Sequence, residues 1–563
     1  MFKLYYKKHN NDALFKAFEE NNLRDIQNYI PLYGKFFNLK NSNYQSINLN
    51  QPFNITNLTK TDKKNTYICT VKSDKVTLKT KTFFKFSPLI DPIKYMVGKY
   101  GDIPNATKVS LPKLRDNTCH PKVLDPNNAA YVDGFFTYLT SNVLHKHRFA
   151  HGVDFFGSFL GIQKDFNVNI LDDIEYLNDS IFFHKNRDTL FKVDIMDDDI
   201  LFDAGTRNYR KKLKIDKRVS NTSTRSINND DFNDVFSNVE IVGISGCNLA
   251  EALVFQSNSK KATSARTQDT SSRCSSRSSH TSASLSDNDS VAGSKSSRGD
   301  VSDTPSLSSV GSDMMCRAVI SDFPVQIICL ECMENTLDSL LNKDMKNGEW
   351  TSCLFQIIMT LAAYQKMFSF THNDLHTNNV MFNYTDRKFL IYKYNKTYYK
   401  VPTYGKVFKI IDFGRAIYKF NGNIICSDSF HSKGDAATQY NCGPYMNESK
   451  PRLEPNMSFD LCRLACSLYD HFVDTLGDDF EDDPVAKIID EWCTDDKGRN
   501  ILYKKCGEER YPDFKLYKMI ARTVHKHTPQ AQISHDLFRK YTSSRKKIGK
   551  RRVINIDDLP VYI

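Results

Sequence analysis

The sequence predicts an α+β protein with a β-rich first part, a mostly helical second part and long disordered insertions. Three observations support this fold class. Short β-rich runs follow one another between residues 53 and 86, a long amphipathic helix is predicted from Trp350 to Phe368, and the stretches 205–235 and 257–313 are too polar to form a core. With 563 residues, 40% of them hydrophobic, the rest of the chain is long enough to bury a sizeable core.

The β-rich part follows a polar lead over residues 1–50, in which a helix is predicted from Asp12 to Tyr29 because Pro31 would end it. The runs Phe53–Leu58, Thr66–Val71 and Val76–Phe86 are separated by polar turns, which is typical of an antiparallel meander.

Further elements follow on both sides of the insertions. Apolar residues recur at helical spacing from Asn127 to Val143, and Val153–Gly161 is predicted to be the next strand. A buried strand is predicted over Val325–Leu330, and a helix is predicted to begin at Thr336. The long helix that ends at Phe368 then leads into two acidic motifs.

The first motif reads Thr-His-Asn-Asp-Leu-His-Thr-Asn-Asn from Thr371 to Asn379, and the second reads Ile-Asp-Phe-Gly-Arg from Ile411 to Arg415. In the first, Asp374 precedes Asn379 by five residues, so a carboxylate and an amide oxygen would lie at the mouth of one apolar strand. Asp412 ends another apolar strand and could face them. A carboxylate near an acceptor hydroxyl and two oxygen ligands for magnesium are the groups that phosphoryl transfer requires.

With these motifs the sequence resembles the protein-kinase superfamily, whose catalytic loop is His-Arg-Asp with an Asn five places after the Asp, and whose metal motif is Asp-Phe-Gly. The resemblance implies that Asp374 is the catalytic base, that Asn379 and Asp412 hold the metal, and that other motif and helix residues are structural. The structural residues implied are His372, Phe413, Gly414 and Asp460, the last of which would anchor the catalytic-loop backbone.

Two residues depart from the family pattern. Asn373 replaces the family Arg that reads a phosphorylated activation loop, and His376 replaces the usual Lys. The Asp-Leu-His form is similar to haspin-like kinases, His-Asn-Asp also occurs in choline-kinase-like small-molecule kinases, and the wider pattern resembles the serine/threonine kinase-like proteins of giant, mimivirus-type DNA viruses.

The resemblance also implies a bilobal organisation and a nucleotide site. Residues 51–330 would form the small lobe with its insertions, residues 331–540 the large lobe, and residues 541–563 a basic C-terminal tail. Lys85 would pair with the nucleotide phosphates and with Asp133, and the hinge would run from Glu331 to Asn335. In the hinge region, the residues expected at the nucleotide are Glu331 and Met333, whose backbones would bind adenine, and Asp338 at the ribose.

Two further features differ from the family. The turn before the second strand should be rich in glycine so that backbone amides can approach phosphates, yet no glycine lies between Gly34 and Gly98. Lys60, Lys63 and Lys64 offer charge there instead. The 38 residues that separate Asp374 from Asp412 are more than is usual in protein kinases, and the Tyr-rich run from Phe389 to Tyr404 predicts an extended hairpin.

The composition indicates the cellular environment of the protein and the kind of partner it binds. The net charge of +11 favours acidic partners, and the run Arg545–Arg552 fits nucleic-acid contact or nuclear import. The 14 scattered Cys indicate reduced thiols in an intracellular protein, and no apolar run is long enough to cross a bilayer. We therefore expect a soluble intracellular protein that does not associate with membranes. If it is viral it would act in the host cytoplasm or virion, with the nucleus as an alternative.

Together these observations predict an ATP- and Mg²⁺-dependent phosphotransferase, with Mn²⁺ as an alternative metal, acting on Ser or Thr of a protein substrate. Three alternatives stay open. The missing glycine-rich turn favours a catalytically weak scaffold, or pseudokinase, and the His-Asn-Asp sequence favours a small-molecule kinase. The Ser/Arg-rich insertion and the basic tail favour a nucleic-acid-binding protein.

Overall fold

The computed structural model describes residues 2–194 and 316–563, apart from residues 102, 116, 117 and 344. The insertions predicted at 205–235 and 257–313 lie outside the described residues. The strands are β1 (Tyr6–Lys8), β2 (Leu23–Gln27), β3 (Ile47–Leu49), β4 (Asn54–Lys60), β5 (Thr66–Lys72), β6 (Thr77–Pro88), β7 (Phe155–Asn169), β8 (Phe191–Asp194), β9 (Arg317–Glu331), β10 (Asn335–Thr336), β11 (Val380–Tyr384), β12 (Phe389–Tyr394), β13 (Thr397–Pro402), β14 (Lys406–Ile410), β15 (Ile417–Phe420), β16 (Asn423–Cys426), β17 (Thr542–Ser543) and β18 (Ile554–Asn555). The α-helices are α1 (Asp12–Glu19), α2 (Pro92–Met96), α3 (Asn105–Lys108), α4 (Pro121–Leu124), α5 (Ala129–Lys146), α6 (Ile174–Asn178), α7 (Ile181–Asn186), α8 (Asn347–Phe368), α9 (Phe459–Leu476), α10 (Pro484–Trp492), α11 (Lys515–Thr523), α12 (Pro529–Gln532) and α13 (Arg545–Ile548).

The largest sheet is antiparallel and runs in the order β2-β7-β9-β6-β5-β4, with β8 also paired to β9. The meander predicted from the three β-rich runs corresponds to β4, β5 and β6. In β6, Phe84 and Phe86 are buried in the core, and because side chains alternate along a strand, Lys85 points to the other face.

Helix α5 packs against β7 and β9, and Asn128 caps its first turn by accepting a hydrogen bond from the Ala130 amide at 3.0 Å. The helix approaches β9 closely at Gly134. A Cβ at this position would lie 2.2 Å from the Gln326 side-chain nitrogen, so only glycine fits here without a shift of that side chain. This close approach fixes the height of the neighbouring Asp133 above the sheet.

The second half of the chain is built around α8, which is buried along nearly its whole length. Beside it lies the three-stranded sheet β10-β11-β14, in which β11 follows the first acidic motif and β14 leads into the second. The hairpin predicted from Phe389 to Tyr404 is present as β12 and β13, and β17 and β18 extend it to a four-stranded sheet in the order β17-β13-β12-β18.

The structure corrects three predictions about the ends of elements. The helix predicted from Asp12 to Tyr29 ends at Glu19, because Asn22 and Asp25 adopt left-handed backbone angles (φ 70° and 54°) and Leu23–Gln27 pairs with β7. Residues 1–50 therefore contribute an edge strand to the main sheet rather than a separate lead. After the hinge, the predicted helix is reduced to the 3-10 turn Asp338–Leu340.

The third correction concerns residues 541–563, which are not a free tail. Their apolar side chains Ile554, Ile556, Leu559 and Tyr562 are buried, and two short strands pair with the hairpin. Among the described residues, no helix combines the length and the hydrophobicity that a bilayer crossing requires.

A buried histidine links the start of β7 to the strand that leads to Asp412. Nδ1 of His151 lies 2.7 Å from the Phe408 carbonyl oxygen, which can only accept, so Nδ1 carries the proton and Nε2 accepts from the Tyr392 hydroxyl at 2.7 Å. Burial, together with the charge of Lys409, lowers the pKa of His151 to about 4 although the Phe408 carbonyl opposes this shift.

We predict that His151 makes the fold sensitive to mild acid. Its pKa is lower in the folded state than its usual value of 6.5, so the unfolded state binds the extra proton between pH 6.5 and about 4. The stabilisation is complete above pH 6.5 and is lost as the pH falls towards 4, which amounts to about 3 kcal/mol. Chemical denaturation at several pH values should show that His151→Gln, whose amide can replace both hydrogen bonds, reduces the pH dependence by about 1.4 kcal/mol per pH unit in this window. An unchanged pH dependence would contradict the assignment.

Candidate active site

The two acidic motifs meet because β11 and β14 pair in antiparallel register. Val380 lies opposite Ile410, and the Ile411 amide donates to the Asn379 carbonyl at 3.0 Å. The backbone turns sharply in both loops, with left-handed angles at Asn373 (φ 63°) and Asp412 (φ 64°). The sheet therefore places the end of the first motif beside the start of the second.

Lys85 binds two buried carboxylates that come from different elements. Its Nζ lies 2.8 Å from Asp133 of α5 and 2.9 Å from Asp412 after β14, and the Phe413 amide donates to the other oxygen of Asp133 at 2.8 Å. Burial is the main cause of a raised pKa at Asp133; the charge of Lys85 opposes this rise, and the smaller effect of the Asp412 charge adds to it. Burial alone would lower the pKa of Lys85, but the two carboxylates outweigh burial and raise it.

Asp374 is buried in contact with residues that the sequence analysis did not identify. Its Oδ1 accepts a hydrogen bond from the Tyr517 hydroxyl at 2.8 Å, and that hydroxyl in turn accepts from Arg463 Nε at 2.9 Å. Arg415 Nε lies 3.9 Å from the second carboxylate oxygen. Burial alone would raise the pKa of Asp374, but these cations and the Tyr517 hydrogen bond outweigh burial and lower it, so the carboxylate is ionised at neutral pH.

Asp460 holds the loop that precedes Asp374. This fully buried residue of α9 accepts hydrogen bonds from the backbone amides of His372 and Asn373, each at 2.9 Å. His372 Nε2 lies 2.9 Å from the Ile411 carbonyl oxygen, to which it donates, and its ring contacts Phe413. His372, Phe413 and Asp460, three of the residues predicted to be structural, thus lie together at this loop.

Asn379 presents an oxygen that the protein leaves unbound. Its amide nitrogen donates to the Asp374 carbonyl at 2.9 Å and lies 3.0 Å from His376 Nε2, whereas its Oδ1 is buried and has no hydrogen-bond partner within the described part of the chain. Burial lowers the pKa of His376 to about 4, so this neutral ring accepts the hydrogen bond from Asn379.

The donor set fits a hard divalent cation. Asn379 Oδ1 and the Asp412 carboxylate are oxygen ligands, which Mg²⁺ prefers, and Mg²⁺ commonly completes its coordination with water and phosphate oxygens. Over the described ranges no group of three or more His, Cys, Asp or Glu residues could hold a metal ion by itself. The site therefore fits an ion held jointly with a phosphate-bearing ligand better than an all-protein metal centre.

A cavity of about 120 Å³ lies at Asp412, although Asn379 is not among the residues that line it. The residues that line the cavity include the acidic Asp133, Asp374 and Asp412 and the basic Lys122 and Arg415. Acidic and basic residues therefore line the same cavity. The exposed lysines of the β4–β5 turn, Lys60, Lys63 and Lys64, are not among the residues that line it.

The residues predicted for a nucleotide base and ribose already have partners within the protein. The Glu331 amide already donates to the Asp154 carbonyl at 3.0 Å, and the Glu331 carboxylate binds Lys409 at 2.5 Å, so neither group is free to contact a base. Met333 is buried. Asp338 accepts a hydrogen bond from the Thr377 hydroxyl at 2.7 Å and is thereby attached to the Asp374 loop.

Asp428 is a further residue near the site that no local sequence pattern indicates. One of its carboxylate oxygens accepts from the Ala129 amide in the first turn of α5 at 3.0 Å, and the other pairs with Lys122. Its own amide donates to the Asn127 carbonyl at 2.7 Å. The segment that follows Gly414 is thus hydrogen-bonded to the helix that carries Asp133.

Comparison with known proteins gives a partial similarity. No protein-family model matches the chain. A stretch of 74 residues is 39% identical to a protein of Acanthamoeba polyphaga mimivirus named "Putative serine/threonine-protein kinase R301". The match covers 12% of this chain and 19% of that protein, so the chain shares a short kinase-like segment with it.

We predict that Lys85 stabilises the fold through the two carboxylates. Lys85→Met leaves Asp133 and Asp412 buried side by side without a cation, and loss of one partner of a buried ion pair costs about 3 kcal/mol or more. Chemical denaturation at pH 7 should show this loss, and Lys85→Met/Asp133→Asn should recover at least half of it because one of the two charges is removed as well. Equal stability of the wild type and Lys85→Met would refute the interpretation.

Proposed function

We propose that the chain is a phosphotransferase with a bilobal, protein-kinase-like fold that transfers the γ-phosphoryl group of ATP to a Ser or Thr hydroxyl of a protein. The main sheet with α5 would be the small lobe, and the part built around α8 and α9 would be the large lobe. The observation that carries the proposal is the convergence of Lys85, Asp133, Asp412, Asp374 and the unpaired Asn379 oxygen. The short similarity to a kinase-named protein supports it independently.

Each residue has a defined task in this proposal. Lys85 would neutralise phosphate oxygens, and Asp133 would keep its ammonium group directed at them. Asn379 and Asp412 would hold Mg²⁺, which when bound would neutralise charge on the phosphates. Asp374 would orient the acceptor hydroxyl and take its proton, while the acceptor oxygen bonds to the γ-phosphorus and the bond from that phosphorus to the leaving ADP oxygen breaks.

A nucleotide-binding scaffold with little turnover is the second candidate. Two observations favour it. The β4–β5 turn contains no glycine, so its backbone amides cannot approach phosphates as closely as a glycine-rich turn allows. In addition, the Tyr517 hydroxyl hydrogen-bonds to Asp374 Oδ1, one of the two oxygens that an acceptor hydroxyl would use.

Substitutions of Asp374 and Asp412 should affect nucleotide binding and phosphoryl transfer differently. In Asp374→Ala, nucleotide and Mg²⁺ binding should persist while phosphoryl transfer falls by about a thousandfold, because the acceptor loses its orienting carboxylate. In Asp412→Asn, both transfer and Mg²⁺-dependent nucleotide affinity should fall, because the metal loses a charged ligand. Thermal shift with ATP, with and without Mg²⁺, measures binding, and labelled-phosphate transfer to a panel of proteins and small alcohols measures turnover.

The exposed Asp386, which follows β11, provides a matched control, since Asp386→Ala should change neither property. Wild-type protein that binds Mg²⁺-ATP but labels no acceptor would favour the scaffold. Transfer to small alcohols but not to proteins would favour a small-molecule kinase. Wild-type protein that neither binds nor transfers would make the enzyme assignment wrong.

A further inference from the structure

The proposed phosphotransferase site leaves a basic part of the molecule unexplained. Residues 541–555 contain six basic and no acidic side chains, and the structure joins them to the hairpin of β12 and β13. Strand β17 pairs with β13, and β18 runs parallel to β12 with Ile554 opposite Tyr392. We call the region the basic surface and define it by Arg148, Arg387, Lys388, Arg545, Arg551 and Arg552.

The cations of the basic surface come from three separate parts of the chain. Arg552 donates to the Arg148 carbonyl oxygen at 3.3 Å, and its pKa is lowered by burial and by the charges of Arg387 and Arg148. All six side chains belong to exposed residues, and none of them forms an ion pair within the described ranges. Like charges gathered in this way repel one another, so an anionic ligand bound here would relieve the repulsion.

Exposed aromatic side chains accompany these cations. The described part of the chain leaves four aromatic residues strongly exposed, and three of them lie at the base of the hairpin: Tyr384 (65%), Phe389 (39%) and Tyr404 (50%). The Thr385 amide donates to the Gly405 carbonyl at 2.9 Å and the Thr403 amide to the Lys388 carbonyl at 3.1 Å, so both ends of the hairpin are adjacent. The backbone segments that carry the three aromatic residues are therefore next to the one that carries Arg387 and Lys388.

The identity of the ligand follows from this combination. Arginine forms bidentate contacts with phosphates, and exposed rings between cations provide stacking platforms for unpaired bases. Lys400 Nζ already lies 4.0 Å from the centroid of the Phe389 ring, so a base stacked there would bring its phosphate next to a cation. A surface that binds membranes would need exposed aliphatic side chains as well. The exposed aliphatic side chains of the described residues lie outside the basic surface and the hairpin. We propose that the basic surface binds single-stranded nucleic acid.

The first test measures charge. Fluorescence anisotropy with a labelled 20-nucleotide single strand should give tight binding at low salt. The triple variant Arg387→Gln/Arg551→Gln/Arg552→Gln should bind at least about tenfold more weakly, and the slope of log K against log salt should fall by about 2, because three phosphate contacts are removed. The matched control Lys75→Gln/Lys79→Gln/Lys505→Gln removes the same charge from exposed lysines outside the basic surface and should change the affinity less than about twofold.

The second test measures stacking. Phe389→Ala should weaken single-strand binding by about tenfold and leave the salt slope unchanged, and it should affect a duplex of the same length less. Equal losses in the triple variant and its matched control would show that net charge alone attracts the strand and would overturn the proposal. Absence of wild-type binding at low salt would overturn it as well, as would binding of anionic lipid vesicles or of a poly-glutamate peptide in preference to the strand. All substituted residues are exposed, so thermal unfolding should confirm that every variant is folded.

Discussion

The ammonium group of Lys85 allows two buried carboxylates to lie side by side. Asp133 and Asp412 are each within 2.9 Å of Lys85 Nζ and come from a helix and a loop that are far apart in sequence. In a poorly solvated interior two such charges repel strongly, and a single cation between them turns the repulsion into attraction. Because the Phe413 amide also binds Asp133, the loop cannot move away without losing both contacts. The positions of β6, α5 and the second motif therefore depend on one another.

Helix α5 is held at both ends by segments that follow the second motif. At its first turn, Asp428 accepts from the Ala129 amide. Near its last turn, His147 lies 3.0 Å from the Tyr562 hydroxyl, and the Tyr562 amide donates to the Met367 carbonyl at 2.8 Å. Displacement of either contact would tilt the helix and with it Asp133. The segment after Gly414 and residues 553–563 thus act on the same ion-pair cluster, although neither contributes a side chain to it.

The sequence could predict this cluster because each of its parts has a local pattern. Lys85 lies in a β-rich run, Asp133 in a run with helical periodicity, and Asp412 in a motif that resembles a known family. Tyr517 and Asp428 have no such pattern: Tyr517 contacts Asp374 across 143 positions and Asp428 contacts Lys122 across 306, and only tertiary packing creates these pairs. Leu23–Gln27 was wrongly predicted as helix because its conformation, too, is decided by a tertiary contact. Its polar sequence carries no strand periodicity, and its pairing with β7 decides its conformation.

The surroundings of Asp374 indicate how this carboxylate would act. Its lowered pKa keeps this carboxylate ionised at neutral pH and makes it a weaker base than an ordinary Asp. A fixed carboxylate is better suited to orient an acceptor hydroxyl, and the chain from Arg463 through Tyr517 to Asp374 fixes it from the side. An acceptor would then share Oδ1 with Tyr517 or bind Oδ2 near Arg415. Because the β4–β5 turn lacks glycine, the positions of the phosphates would depend on Lys85, Asn379 and Asp412 more than on backbone amides. The proposed reaction would therefore depend on how firmly the surrounding contacts hold these three side chains.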